Sequence, residues 1–545
     1  MYKYVVSHNT SGFINTTTGQ TAEIDDKIDT SKLFHNDLFV INESNQIVLT
    51  ETPTRLSVIP AILCLRNNRT YGRVGNKHLY KCIPDDKHLP PFLVAYEMKN
   101  VGFSKVFANK YVLIRFLKWT EANPHANLTN TIGDVDILEN YYEYQLHCTK
   151  LAHTMQYFNK GVATALISTN PIFIHSESRT GMKIITIDPA GTRDFDDALS
   201  IVERTDGTTT VSVYIANVVA CLDAYNLWEY VASKVSTIYL PDKPRPMLPQ
   251  RLSEHECSLV CGLRRIALTM DVVLCTNTGT VIDVSFKNMT IVVSCNYVYE
   301  ETALLASREY RQLFEITNKM HTGGATKVAN DSHELVAFWM SQMNRRIAEK
   351  MHDDYRTGIF RRATLLNNDI LPTAVKNWKN AVCEYVAFGV DVRHDVLEVD
   401  KYIHITSPIR RLVDLLNMTK FQICLGVPLS NSASAFYNKW IDKLDYINDQ
   451  MRSVRRVQTQ CSLLAICSVS KEPIECDAYL FDKQTINEPN KTHMFSVYLK
   501  SLNLMYKIKI MDTEEVENGD IRRVQIIVFN DEDSLKKKVR LQLLK

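Results

Sequence analysis

The sequence predicts a multidomain α+β chain, with small β-barrels at both ends and a larger mixed domain between them. Three observations carry this. The chain has 545 residues, room for roughly three or four domains. Its ends alternate short apolar runs with Gly, Asn and Thr turns, the pattern of half-buried strands. A stretch past its middle instead repeats apolar residues at helical spacing.

Taken in order, residues 1–66 hold DLFVI, QIVLT and LSVIPAILCL between turn residues and read as a small barrel. Residues 67–150 continue in the same way, with YGRVGNKHLYKCIPDDKHLPPFLV and KYVLIRFLKW as strands before NTIGDVDILENYYEYQ. Residues 151–470 form the large domain. Within it, ELVAFWMSQMNRRIAEKMHDD sets Leu335, Val336, Trp339, Met340 and Met343 on the helical period. LLNMTKFQICL and MRSVRRVQTQCSLLAICSV are helical too. Arg345, Arg346, Lys350, Arg356, Arg361 and Arg362 make a local basic cluster. Such a cluster is either a solvated face or a lining for a phosphate backbone. Residues 471–545 return to strand alternation in MFSVYLKSLNLMYKIKIM and DIRRVQIIVF, and end in the basic LKKKVRLQLLK.

A formal net charge of only +2 gives no global basic field, so any nucleic-acid binding must come from local patches or an enclosed channel. The 13 cysteines are scattered without a CxxC pair; Cys257 and Cys261 are the nearest. That argues against zinc and against a disulfide framework, and for reduced thiols. There is no signal peptide and no apolar run long enough to span a bilayer. The expected location is intracellular, cytoplasmic or nuclear, not secreted, with no membrane partner.

The most informative stretch is TIDPAGTRDFDD at 186–197, which gathers Asp188, Asp194, Asp196 and Asp197. Carboxylates repel one another and are costly to bury unpaired. Yet this group is flanked by Ile184, Ile185 and Ile187 on one side and by Ala198 and Leu199 on the other. The Ile184–Ile187 run reads as a strand, Pro189 and Gly191 force a turn, and a second extended segment returns. Strand alternation would put Asp194 and Asp196 on one face and Asp197 on the other. Oxygen ligands of this kind suit Mg²⁺, or Mn²⁺, and not zinc. A solvated acidic loop or a structural Ca²⁺ loop is the plainer reading, but the spacing does not match an EF-hand.

TIDPAGTRDFDDAL resembles the active-site signature of the ribonuclease II/R (RNB) family, which includes the catalytic subunit of the eukaryotic RNA exosome. HITSPIRRLVDLL at 404–416 resembles the family's HFTSPIRRYADLL. IYLPDKPRPMLPQRLSEHECSL at 238–259 resembles VYLPDRVIPMLPERLSNELCSL. The three stand in family order. The resemblance implies cold-shock-type OB barrels over 1–66 and 67–150, an RNB catalytic domain over 151–470 and an S1-type OB barrel over 471–545. It is closest in style to the exosome branch, but begins at the barrel without a PIN-type domain. The implied activity is Mg²⁺-dependent hydrolysis of single-stranded RNA with a free 3′ end, processively, to nucleoside 5′-monophosphates. Two cations about 3.5–4 Å apart can activate water, neutralise phosphoryl charge and assist the leaving oxygen.

The resemblance also distributes roles. Asp188, Asp194, Asp196 and Asp197 match the family's four acidic positions and would bind metal, Asp196 being the most important for the chemistry. Arg410 matches the catalytic arginine and could clamp phosphate in two-pronged fashion. Arg411 would hold backbone phosphate or a neighbouring acid. Tyr239 falls where an aromatic stacks on the last base. Arg251 in the third motif and Asn344 of the core helix join the RNA-binding set. Pro408 would open a helix that Thr406 or Ser407 caps.

The chain departs from the family in places. VYIANV stands for VHIADV, so Tyr214 replaces histidine and Asn217 aspartate. RTGMK puts Gly181 at an acidic position. Gln458 or Gln460 sits near the place of a family glutamate, and IFRRAT lacks a histidine. None removes a metal ligand or Arg410. The chain reads as a divergent member, as from a fast-evolving lineage such as a virus. The competing reading is a catalytically weak RNA-binding or complex-assembly member; the sequence names no protein partner in an RNA-decay complex.

Overall fold

The computed structural model describes residues 1–7, 10–98, 107–168, 176–179, 181–320, 329–365, 381–470, 472–486, 492–502, 504–511, 515–531 and 536–544. The chain divides into two compact units. One comprises Met1–Ala152, Leu240–Asp242 and Val457–Lys545; the other comprises His153–Tyr239 and Lys243–Arg456.

The first unit holds three sheets. The N-terminal one has five strands in the order Thr21–Ala22, Ser11–Asn15, Tyr2–Val6, Leu38–Ile41, Ile47–Glu51. In the second, Val58–Leu63 pairs with both Lys110–Lys118 and Lys77–Pro84, so the sheet closes on itself. Leu63, Cys82, Phe92, Val94, Val112 and Ile114 fill its interior. LSVIPAILCL therefore opens the second barrel rather than ending the first. The helical turn Pro53–Leu56 breaks the chain just before it, so the boundary falls ahead of residue 58 and not at 66. The C-terminal sheet runs Leu504–Met511, Thr492–Leu499, Ile474–Ile486, Ile521–Asp531, Lys536–Leu543, all antiparallel. Phe495, Val497 and Leu499 alternate into its core as the two-residue period requires.

The second unit is built on a seven-stranded sheet. Its order is Glu177–Ser178, Val281–Val292, Arg264–Cys275, Thr208–Ala216, Asp197–Glu203, Ile185–Asp188, Cys295–Val298. Thr208–Ala216 lies at the centre and is buried almost throughout, which suits its Thr, Val and Ile content. Ile185–Asp188 and Asp197–Glu203 are antiparallel neighbours. The turn between them thus leaves one end of the sheet, and Gly191 takes the positive φ of 84° that this turn needs.

Helices cover the sheet. Ser332–Asp353 starts where the Asp331 side chain accepts from the Glu334 backbone N–H. It buries Leu335, Val336, Trp339, Met343, Ile347 and Met351. Leu412–Cys424 is buried on nearly every side, as its apolar content requires. Among the described residues no helix is long and apolar enough to cross a membrane.

Candidate active site

The four aspartates meet at the end of the sheet. Asp188 closes its strand, and its carbonyl accepts from the Tyr299 N–H at 3.1 Å. Regular strand begins again only at Asp197. Residues 193–196 are irregular, so two-residue alternation does not govern them. Asp197 accordingly faces Asp188 and Asp196 rather than pointing away. The Asp196 carbonyl is fixed by the Ala216 N–H at 2.8 Å.

The second motif docks onto the first. The Ile409 N–H donates to Asp196 Oδ1 and Arg410 Nε to Asp196 Oδ2, both at 3.0 Å. Arg410 Nη2 also donates to Ser407 Oγ at 2.9 Å. Arg411 holds a neighbouring acid, Asp414, at 2.8 Å. No helix opens at Pro408. Residues 408–410 form a turn and the helix begins at Leu412. Asp414 explains the delay, because its Oδ1 also takes the Ser407 N–H at 2.8 Å and holds the turn open. Neither Thr406 nor Ser407 caps that helix.

Buried amides support the turn. Asn344 is 4% exposed; its Oδ1 accepts from the Ile405 N–H at 3.0 Å and its Nδ2 donates to the Tyr402 hydroxyl at 3.0 Å. Its side chain is thus spent on protein partners beneath the motif. Asn417 donates to the carbonyls of Ile359 and His404.

The third motif and the residues just before it tie the other two together. The Thr237 N–H donates to the Arg410 carbonyl and the Leu412 N–H to that of Val235, each at 2.9 Å. Tyr239 follows on the strand Ile238–Tyr239, 45% exposed and close enough to Arg410 to bond it through its phenol. At the far end of the motif, Ser258 Oγ donates to the Arg193 carbonyl at 2.8 Å and accepts from the Phe195 N–H at 2.9 Å. Ser258 clasps the aspartate loop, a role for which its place in the motif was the only cue. Arg251 lies exposed at the start of the π-helical turn Arg251–Glu256. That turn's Glu254, and not Arg251, bears on Asp194.

Burial raises all four carboxyls, Asp188 to about 6 and Asp196 to about 7, with Asp194 and Asp197 also lifted. Mutual repulsion adds to the rise, and Arg410 opposes it in each case. One guanidinium for four carboxyls, Asp196 buried and the others half-buried, leaves a deficit of positive charge. Asp188 Oδ2 is moreover buried without a hydrogen-bond partner. This donor set fits a hard divalent cation. Among the described residues no three such side chains are already drawn into a ligand shell.

The departures find structural uses. Arg179 makes a two-pronged pair with Asp271 at 2.7 and 2.6 Å, and also donates to Ser212 and Tyr214. Asn217 caps the helix Val218–Ala224 and bonds Asn288 and Gln422. An aspartate there could not donate to either amide oxygen. Thr180 lies outside the described residues.

Residues 179–321 match the family described as RNB domain. That stretch of the chain is similar to RNB domains. Exoribonuclease 2 of Photorhabdus laumondii is 35% identical over 125 residues, 23% of this chain and 19% of that protein. Ribonuclease R of Thermotoga maritima is 29% identical over 201 residues, 35% of this chain and 27% of that protein. The matched stretches thus span about a fifth to a quarter of those relatives. In three dimensions, Mycoplasma genitalium RNase R in complex with ribose-methylated single-stranded RNA superposes over 99% of this chain and 100% of that one, with TM-score 0.69 and 14% identity. Yeast Ssd1, a pseudonuclease, superposes over 87% of this chain and 68% of its own, with TM-score 0.56 and 14% identity. At such identity the likeness concerns the fold, which combines OB-type barrels with the RNB domain.

Proposed function

We propose that the RNB domain hydrolyses single-stranded RNA from a free 3′ end, releasing nucleoside 5′-monophosphates in a divalent-cation-dependent reaction. The observation that carries this is Arg410 locked to buried Asp196 inside a group of four carboxyls, the other three half-buried. Such a group has little structural value without a cation, because ionised carboxylates repel and desolvate one another. The names of the curated relatives support the choice of RNA and of exonucleolytic cleavage.

Asp188, Asp194 and Asp197 would hold Mg²⁺, or Mn²⁺, with Asp196 completing the set. The cation supplies a more acidic water and charge neutralisation at the phosphoryl oxygens. Arg410 orients Asp196 through Nε and can present its remaining N–H groups to a phosphate. Tyr239, half exposed beside Arg410, can stack on the terminal base, which is tolerant of sequence. Asn344 acts on this reading through the turn it holds, Arg411 both holds that turn through Asp414 and keeps Nε without a partner, and exposed Arg251 meets RNA at the surface. The 13 free cysteines suit a reducing, intracellular setting.

A second reading has one observation in its favour: both Asp196 oxygens are already taken by Ile409 and Arg410. A chain locked that way would hold RNA without cutting it. The test is a denaturing-gel time course on 5′-labelled single-stranded RNA, with wild type and Asp196→Asn, in Mg²⁺ and in EDTA. Shortening from the 3′ end, abolished by EDTA and by Asp196→Asn, establishes the nuclease. Bound but intact RNA in every lane leaves the binding protein.

A further inference from the structure

A second charged group lies in the same unit, outside the aspartates. In the antiparallel pair Ile359–Leu365 and Ala381–Ala387, successive arginines behave differently. Arg362 is ion-paired with Glu384, directly opposite it. Arg361 faces the other way, is 7% exposed and lies 4.8 Å over the Tyr385 ring. Among the described residues its guanidinium makes no hydrogen bond and no ion pair. Its nitrogens keep a little solvent contact, but a guanidinium so largely buried without an acceptor is costly.

Its surroundings do not supply one. Arg361, Arg411 and Arg455 together bear on Tyr385 and on His404. His404 Nδ1 is bonded to the Tyr385 hydroxyl at 2.9 Å, and His394 also faces it. The arginines and burial hold the His404 imidazole well below its ordinary range, so it stays neutral. Among the described residues Asp414 is the carboxylate that faces this group. Asp414 is already held by the Ser407 N–H and by Arg411. Arg411 Nε is itself buried without a partner. Three guanidiniums thus stand against one carboxylate. Arg455, on the exposed side of its helix, gives the group an opening to solvent. Arg411 links it to the cutting centre, since it also feels Arg410 and Asp196.

We propose that Arg361, Arg411 and Arg455 form a phosphate cradle that holds the RNA backbone beside the carboxylates. The assignment rests on the proposed RNA-cleaving function and extends it to the neighbouring phosphates. Guanidinium forks match phosphate oxygens in geometry as well as charge, and read no sequence. The Tyr385 ring behind Arg361 fixes that side chain by cation–π contact.

The test is fluorescence anisotropy with a labelled oligouridine in EDTA, over a salt series. Wild type is compared with Arg361→Gln, Arg455→Gln, Arg361→Lys and Arg362→Gln. Arg361→Gln and Arg455→Gln should each weaken binding about tenfold and reduce the salt slope by about 0.7. Arg361→Lys should keep the slope, and Arg362→Gln should leave both quantities unchanged. Unchanged affinity and slope in both glutamine variants, with wild type binding intact, overturn the cradle. Weaker inhibition by uridine 5′-monophosphate at unchanged RNA affinity assigns the arginines to a free phosphomonoester and overturns the backbone reading. Failure of the wild type itself to bind RNA overturns the parent function instead. Arg455→Gln, at an exposed helix position, guards against a folding defect at Arg361.

Discussion

Stripping divalent cations should make this chain sensitive to alkali, and Asp196 sets the size of the effect. Burial lifts its carboxyl from 3.8 to about 7, which disfavours the ionised form by about 4 kcal/mol at about 1.4 kcal/mol per pH unit. The folded-state value lies above the unfolded one. The contribution to stability is therefore full below pH 3.8 and is lost as the pH rises through about 7. Between pH 5 and pH 7 the loss is about 2 kcal/mol, or about 4 °C in melting temperature. A cation reverses the sign by favouring the ionised carboxylates. Differential scanning calorimetry in EDTA at pH 5, 6, 7 and 8 should show the melt falling as the pH rises. Asp196→Asn should make that fall shallower, since it has no proton to lose, while the other three raised carboxyls keep part of it. Mg²⁺ should restore the wild type at pH 8 and do little at pH 5. Wild type and Asp196→Asn melting in parallel across the series would refute the account of the buried carboxyl.

Three further outcomes follow from the geometry. Arg410→Lys loses the Asp196 and Ser407 bonds together; single-turnover kinetics should show a rate about 10²–10³ lower, with RNA affinity within about threefold. Ser258→Ala removes both bonds that clasp residues 193–195. It should raise the Mg²⁺ concentration needed for half-maximal activity, with a stability loss of about 1–2 kcal/mol by urea titration. Arg179→Met takes from Asp271 its two-pronged partner, a pair only about a tenth exposed on either side, and leaves it Ser212 and the more distant Lys287; urea titration should report about 3 kcal/mol lost.

Much of this was legible in the chain. The aspartate cluster, Arg410 and Tyr239 could be named because motif strings fix residue types at fixed spacing. The β-rich ends were legible because alternation survives in PhexValxLeu, with Phe495, Val497 and Leu499 all inward. The boundary near residue 58 was not, because LSVIPAILCL reads as a strand in either barrel and only its partners Lys110–Lys118 and Lys77–Pro84 decide. The helix start at Leu412 was hidden for a similar reason. Pro408 favours a first turn locally, but Asp414 binds the Ser407 N–H and overrides it. Asn344, Ser258 and Arg361 show the general limit. Their work depends on what lies across the fold, and spacing along the chain carries no record of it.

The Asp196–Arg410 bond joins residues 214 positions apart. A ribosome adding about 5–20 residues per second needs about 10–40 s to travel that far. Throughout that interval the aspartates exist without the turn that organises them. A nascent chain therefore emerges beside its own messenger while the proposed cutting centre is still incomplete. The long separation in sequence works as a built-in delay: the proposed RNA-degrading activity would stay silent until its own template has been largely read.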